Sequence, residues 1–359
     1  MSAPVSAPAA RRDFTSDNIT GASPAVLAAL AAANTGTVAS YGADPWSEEL
    51  TRRLAALFER PVAVLPVATG TAANALALAL LAPPYAAVYC DATAHVMTDE
   101  CGAPEFYSGG AKLIGLPSRD GRIEPQALAA AVEHARTLGV HHVRPAAVTV
   151  SQATEWGTVY APDALAALCS TARALGLKVH MDGARFANAI AHLGCTPAEA
   201  SWRAGVDVLS FGATKNGALA AEAVVLFDAA LADELALRRK RGGHLWSKHR
   251  FLSAQLLAYL DDGLWLANAR RANAMAQRLA AGLAALPGVR LVQPVEANEL
   301  FVALPAPLAV DLRQAGYRFY DWPAPPGTPG SCVRLVTSYD VAAADVDGLV
   351  DAARRLSAR

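Results

Sequence analysis

The chain predicts an α/β fold: a large, mostly parallel sheet wrapped by helices, with a smaller α+β domain behind it. Three observations carry this expectation. Short apolar runs of strand length alternate with stretches of helical length over the first two-thirds of the sequence, as a parallel sheet covered by helices requires. The alternation stops at a basic run, Arg238 to Arg250, beyond which the order of elements changes. At 359 residues, the chain is too long for one small core and suits a large domain plus a smaller one.

Taken in order, residues 1–13 are Ala/Pro-rich and expected to be loose. The large domain is expected over 14–252. Val62–Leu65 reads as a strand, Ala72–Leu81 as a helix and Ala86–Cys90 as a strand. Ala111–Leu116 and Pro145–Val150 are further strands, and Pro162–Leu175 is a helix. Leu177–Met181, Val206–Phe211 and Ala223–Phe227 complete the apolar strands of this part. The small domain is expected over 253–359. A Leu/Ala-rich helical region runs from Phe251 to about Leu286, where Pro287-Gly288 stops it. Strands Leu300–Leu304 and Cys332–Val336 follow, with one helix between them and another at the end.

Composition excludes several functions. A formal charge of −1 supplies no basic field for nucleic acid and no polybasic patch for an anionic membrane. The uncharged stretch Pro61–Cys90 has the length of a membrane span, but Pro66, Gly70, Asn74, Pro83 and Pro84 cut it into strand, turn and helix, so it reads as core. Met1–Ala10 lacks the basic start and long apolar stretch of a signal peptide. Five scattered cysteines with no CxxC pair argue for reduced thiols in a cytoplasm and against a structural metal site.

Chemistry concentrates at two strand ends. Lys215, one of five lysines, lies in Leu209-Ser-Phe-Gly-Ala-Thr-Lys-Asn-Gly217, and Asp182 and Arg185 lie in His180-Met-Asp-Gly-Ala-Arg185. A lysine that forms an imine, an acid for a pyridine nitrogen and a cation near a phenolate oxygen are what pyridoxal phosphate needs from a protein. Thr69-Gly-Thr-Ala-Ala-Asn74 joins a strand to a helix, and backbone N–H groups at such a start bind phosphate. Taken alone, an ordinary strand–helix turn with a threonine cap is the better explanation of that segment. His95, just past a strand, is placed to stack on a cofactor ring and serve proton transfer, or simply to cap a helix. Arg334 is a charge inside an apolar strand, where a substrate carboxylate would match its fork; an internal salt bridge is the competing explanation. The basic run shows no base-stacking pattern and reads mainly as surface.

With these residues in hand, the chain resembles the low-specificity L-threonine aldolases, including the phenylserine aldolase branch, of the pyridoxal-phosphate-dependent fold type I superfamily. The likeness runs from about Phe14 to the C-terminus. It rests on Ser16-Asp-Asn18, Tyr41-Gly42, Thr69-Gly-Thr71, Asp99–Phe106, Met181–Arg185, Phe211–Gly217 and Val333–Thr337, in that order along one chain. The resemblance implies that Lys215 binds the cofactor covalently, Asp182 partners its ring nitrogen, and Arg185 lies near its phenolate oxygen. It further implies that Gly70 and Thr71 hold the phosphate, His95 stacks on the ring, and Ser16 with Arg334 clamps the substrate carboxylate, Arg185 also counting among the substrate-binding residues. Lys240, with Lys248 or Arg250, would reach a neighbouring subunit's phosphate, and Tyr41 would line that neighbour's site. A dimeric catalytic unit assembled as a tetramer is implied as well.

One departure stands out. Where many members carry a histidine near the substrate hydroxyl, this chain reads Ser151-Gln-Ala-Thr-Glu-Trp-Gly157, with Glu155 at that position and Trp156 beside it. Glu155, His95 or an ordered water is then left to accept the hydroxyl proton. The expected activity is reversible cleavage of β-hydroxy amino acids to glycine and an aldehyde. β-Elimination or transamination on the same scaffold, and a pocket that binds without turnover, are the alternatives.

Overall fold

The computed structural model describes residues 11–324 and 330–358; most of the segment expected to be loose, residues 1–10, lies outside them. Seven strands form the large sheet: β1 (Ala63–Val67), β2 (Ala86–Asp91), β3 (Lys112–Leu116), β4 (Arg144–Ser151), β5 (Lys178–Gly183), β6 (Val208–Gly212) and β7 (Glu222–Leu226). Their order is β1-β7-β6-β5-β4-β2-β3. The strands β3, β2, β4, β5 and β6 pair in parallel, while β7 is antiparallel to both β6 and β1. β1 therefore points the same way as β6, and β7 is the one reversed strand. The ends of six strands and the start of β7 thus share one edge, where open sheets of this kind place their sites.

Helices cover both faces. Gly70–Leu81 packs its alanines and leucines on the sheet, capped by the Thr69 hydroxyl, which accepts from the Ala72 N–H at 3.1 Å. On the other face, Phe58, Phe186, Phe211 and Phe227 pack together with centroids 5.3–6.3 Å apart, three of the pairs edge-on and Phe58–Phe186 tilted. The helices Pro24–Ala33, Pro45–Leu57 and Pro125–Thr137 have no counterpart in the sequence expectation. Pro45–Leu57 carries the clearest signal that could have found it, an Asp44 cap followed by Pro at the first turn.

The long helical region expected from Phe251 is two helices, Arg250–Leu260 and Leu264–Ala284. The break lies at Asp262 and Gly263, both left-handed (φ 49° and 70°). Leu264–Ala284 then serves both cores: Trp265 and Ala269 pack into the large one, and Ala276, Leu279 and Leu283 into the small one. The second sheet is β8 (Arg290–Leu291), β9 (Glu299–Leu304), β10 (Tyr320–Asp321) and β11 (Ser331–Val336), antiparallel in the order β10-β11-β9-β8. Phe14 is buried in this second core, and its carbonyl accepts from the Val336 N–H at 2.8 Å. No helix among the described residues is long and apolar enough to cross a membrane.

Candidate active site

Asp182 lies one residue from the end of β5, and Lys215 sits in the short turn Thr214–Asn216 after the neighbouring strand β6. The two strand ends approach closely because both carry glycine. A Cβ on Gly212 would lie 2.7 Å from the Ala184 Cα, and one on Gly183 would lie 2.6 Å from the Ser210 carbonyl oxygen. Lys215 is half-buried, and among the described residues it makes no hydrogen bond or ion pair. Asp182 is buried and fully engaged: Asn74 Nδ2 donates to Oδ2 at 2.7 Å and the Ala184 N–H donates to Oδ1 at 2.9 Å. Burial alone would raise its carboxyl; the nearby His95, the Ala184 N–H and Lys215 outweigh that and hold it below its ordinary value.

Behind Asp182 a buried row crosses three strands. His180 Nδ1 meets the Thr149 hydroxyl at 2.8 Å, and its Nε2 meets the Ser210 hydroxyl at 3.0 Å. Burial pushes this histidine down to about 4, so it stays neutral beneath the carboxylate. Glu222, at the start of β7, accepts from the Ala213 N–H at 2.7 Å and braces the lysine turn; burial pushes it up to about 7.

His95 opens the helix His95–Thr98 after β2. Its Nδ1 bonds Glu100 Oε1 at 2.8 Å, an oxygen that also accepts from Asn74 Nδ2 at 2.8 Å. One Asn74 amide thereby ties Glu100 to Asp182. The Glu100 bond raises the His95 pKa, and burial raises that of Glu100. His95, Glu100 and Asp182 offer ligand-type atoms within 4.8 Å of one another, but the Asn74 amide lies among them as a shared donor. The His95 backbone N–H donates to Glu155 Oε1 at 2.9 Å, and the Ser151 hydroxyl donates to the same oxygen at 2.6 Å. Glu155 Oε2 is buried with no partner, and burial pushes the carboxyl up to about 7.

A second cluster joins the two sheets. Arg185 Nε and Nη2 donate to the two carboxylate oxygens of Asp17 at 2.8 and 3.0 Å, and its Nη1 lies 3.2 Å from Glu299 Oε2. Burial opposes the charge on Arg185, yet Asp17 and Glu299 hold its pKa above the ordinary value. Arg334 Nη2 donates to the Thr15 carbonyl at 3.1 Å, its Nη1 lies 3.8 Å from Glu299 Oε1, and its Nε is buried without a partner. The guanidinium lies over Trp322, 4.7 Å from the ring centroid. Trp322 packs on Phe301 and Trp156, so Trp156 lines the same wall as Arg334. Ser16 lies one residue from Asp17, and its hydroxyl accepts from the Asn18 N–H at 3.1 Å.

The remaining residues singled out in the sequence are divided between two places. Gly70 and Thr71 begin the helix Gly70–Leu81, half-exposed, with nothing within 4 Å of where a Gly70 Cβ would stand. Tyr41 and Lys240 meet on the surface, the ammonium 4.7 Å from the ring centroid. Lys248 is exposed, and Arg250 stacks over Trp46 while donating to the Thr35 carbonyl at 3.2 Å. Asn74, Glu100, Asp17, Glu222 and Glu299 were not singled out. Asn74, Glu100 and Asp17 lie inside motifs that were, and Glu222 and Glu299 each stand as a lone acid at the head of an apolar strand.

These features suit pyridoxal phosphate. A buried anion faces the strand edge next to an unpaired lysine, and an open helix N-terminus offers N–H groups for a phosphate. Comparison with known proteins gives a consistent result. Residues 13–306 match the model of the beta-eliminating lyase family. The chain is 47% identical over 309 residues to the low-specificity L-threonine aldolase of a Pseudomonas species, spanning 86% of this chain and 89% of the relative. The identity and both spans are the same for the low-specificity L-threonine aldolase of Pseudomonas aeruginosa. The solved structure of Leishmania major threonine aldolase superposes with a TM-score of 0.89 at 30% identity, spanning 97% of this chain and all of that one.

Proposed function

The chain belongs to the beta-eliminating lyase family, and from that membership we propose that it is a pyridoxal-phosphate-dependent aldehyde-lyase of the low-specificity L-threonine aldolase type. It cleaves L-threonine, L-allo-threonine and related L-β-hydroxy-α-amino acids, phenylserine included, to glycine and an aldehyde. The pairing of Lys215 with Asp182 at adjoining strand ends carries the reading, because no other lysine stands beside a buried carboxylate at that edge.

Lys215, Asp182 and Arg185 hold the cofactor, with Gly70 and Thr71 at its phosphate and His95 against its ring. The cofactor supplies a positively charged ring that draws electrons from the Cα–Cβ bond. Arg334 grips the substrate carboxylate with its unpartnered Nε edge, Ser16 stands nearby, and Trp156 with Trp322 shapes the wall. This grip fixes which Cα bond is aligned for cleavage. Glu155 accepts the β-hydroxyl proton at Oε2. Its other oxygen already takes two donors, so Oε2 is the free acceptor.

Elimination and transamination share Lys215 and Asp182 with this reading, so the products decide. Incubation with L-threonine, L-allo-threonine and phenylserine is expected to release glycine and the matching aldehyde. A keto acid with ammonia, or with an aminated cofactor, would refute cleavage.

Glu155 also predicts a pH dependence. A base must be ionised, and this carboxyl is pushed up to about 7, so kcat/KM should rise with pH through a midpoint near 7. Glu155→Gln should remove that limb and lower kcat by about 100-fold or more. If the variant keeps both limb and rate, the proton goes elsewhere, to His95 or a water.

The catalytic unit is a dimer of this chain, assembled as a tetramer. Tyr41 and Lys240 form an exposed pair, and Phe106 and Leu237 are 80% and 73% exposed. The helix bearing Phe106 is tied to the end of the helix bearing Leu237 through Tyr107, whose hydroxyl meets His244 Nε2 at 2.9 Å. A second copy would cover these apolar side chains and receive Lys240, Lys248 or Arg250 at its phosphate. Five free thiols, three of them buried, suit the reducing cytoplasm.

A further inference from the structure

Two arginines stand at this site, and the protein engages them to different degrees. The buried Glu299 lies between the two, and neither of its oxygens has a hydrogen-bond partner among the described residues. A buried carboxylate held only by ion pairs exists there on account of those cations. The two sides differ. Arg185 is engaged at Nε, Nη1 and Nη2, with both oxygens of Asp17 and one of Glu299. Arg334 has the longer contact at 3.8 Å, a carbonyl at Nη2 and a vacant Nε.

The cluster also spans the molecule. Arg185 belongs to the large sheet's helix layer, Glu299 begins β9 of the second sheet, and Asp17 lies on the N-terminal segment. Asn298 joins the same knot, donating Nδ2 to Asp17 Oδ2 at 3.0 Å and to the Thr337 carbonyl at 2.7 Å. The seat of Arg334 on β11 is thus referenced to the Lys215 edge through Glu299 and Arg185.

We propose that Glu299 is a positioning residue for both arginines. It locks Arg185 into the protein together with Asp17, and it seats Arg334 so that the Nε edge meets the carboxylate of an α-amino acid. Without the Glu299 charge, two guanidinium groups would face each other with only Asp17 between the domains, and Arg334 would lose the one acid it pairs with among the described residues. The inference rests on the aldolase reading, through the role given to Arg334.

The test uses the holoenzyme and the variant Glu299→Gln, which keeps the shape and removes the charge. Glycine and ethanolamine are titrated against the visible absorbance of the bound cofactor; the second is an amine without a carboxylate. Glycine binding is expected to weaken about 10-fold, ethanolamine binding to change less than about twofold, and KM for L-threonine to rise with little change in kcat. Glu299→Asp, which restores the charge, should recover part of the glycine affinity, and it carries the test if the glutamine variant does not fold. Equal loss for both ligands would show a merely structural role and overturn the proposal. Unchanged glycine binding would overturn it too, and so would tighter binding, which would show that Glu299 competes with substrate for Arg334. Wild-type enzyme that neither binds glycine nor cleaves threonine would bring down the aldolase reading itself, and this inference with it.

Discussion

Lys215→Ala is expected to abolish threonine cleavage, by more than about a thousandfold, and to remove the covalent attachment of pyridoxal phosphate. The reason is position. Lys215 follows β6 at the edge where Asp182 lies one residue from the end of β5, and the other four lysines lie elsewhere: Lys112 and Lys178 begin strands, and Lys240 and Lys248 lie in the exposed basic run. No substitute amine can reach the same place. Borohydride reduction followed by mass measurement checks this directly. The wild-type chain should retain the cofactor on the peptide containing Lys215, and the variant should retain none. A variant that stays yellow and still cleaves threonine would end the assignment.

Asp182→Asn is expected to lower kcat by about 100- to 1,000-fold while the cofactor stays bound. Asparagine fills the same space and can still accept from the Ala184 N–H. It lacks the negative charge that His95 and Lys215 stabilise and that favours a protonated pyridine ring. The change also turns the Asn74 contact at 2.7 Å into one between two neutral amides. Single-turnover kinetics with L-threonine, paired with a cofactor titration, separates chemistry from binding. Loss of binding with an unchanged rate in the loaded fraction would show that Asp182 anchors the ring rather than tuning it.

The strands of the large sheet, β9 and β11 of the second sheet and the two motif-bearing strand ends were legible in the sequence because apolar runs and small-residue turns are local signals, whereas β8 and β10, two residues each, are too short to leave such a run. Lys215 and Asp182 stood out for the same reason: each is a charge set against an apolar strand. Other features needed the third dimension. The reversal of β7 is a matter of pairing partners, and nothing in Glu222–Leu226 encodes its direction. The break at Asp262-Gly263 was hidden inside a continuous Leu/Ala pattern, although Gly263 supplied its left-handed turn. Asp17 was passed over in favour of its neighbour Ser16, because a side chain's partner 168 positions away leaves no trace in spacing. Asn74 and Glu100 were invisible for the same reason, since their role is to connect His95 to Asp182 across three strand ends.

The burial of Phe14 against the second sheet has a consequence for how the chain is made. Residues synthesised earlier are seated by residues synthesised much later: Phe14 accepts from Val336, and Asp17, three positions on, is held by Asn298. On the ribosome, a growing polypeptide already carrying Lys215 and Asp182 therefore has no finished arginine cluster. Lys215 is thus present in the chain long before the cluster beside it can close, because Glu299 and Arg334 are added later.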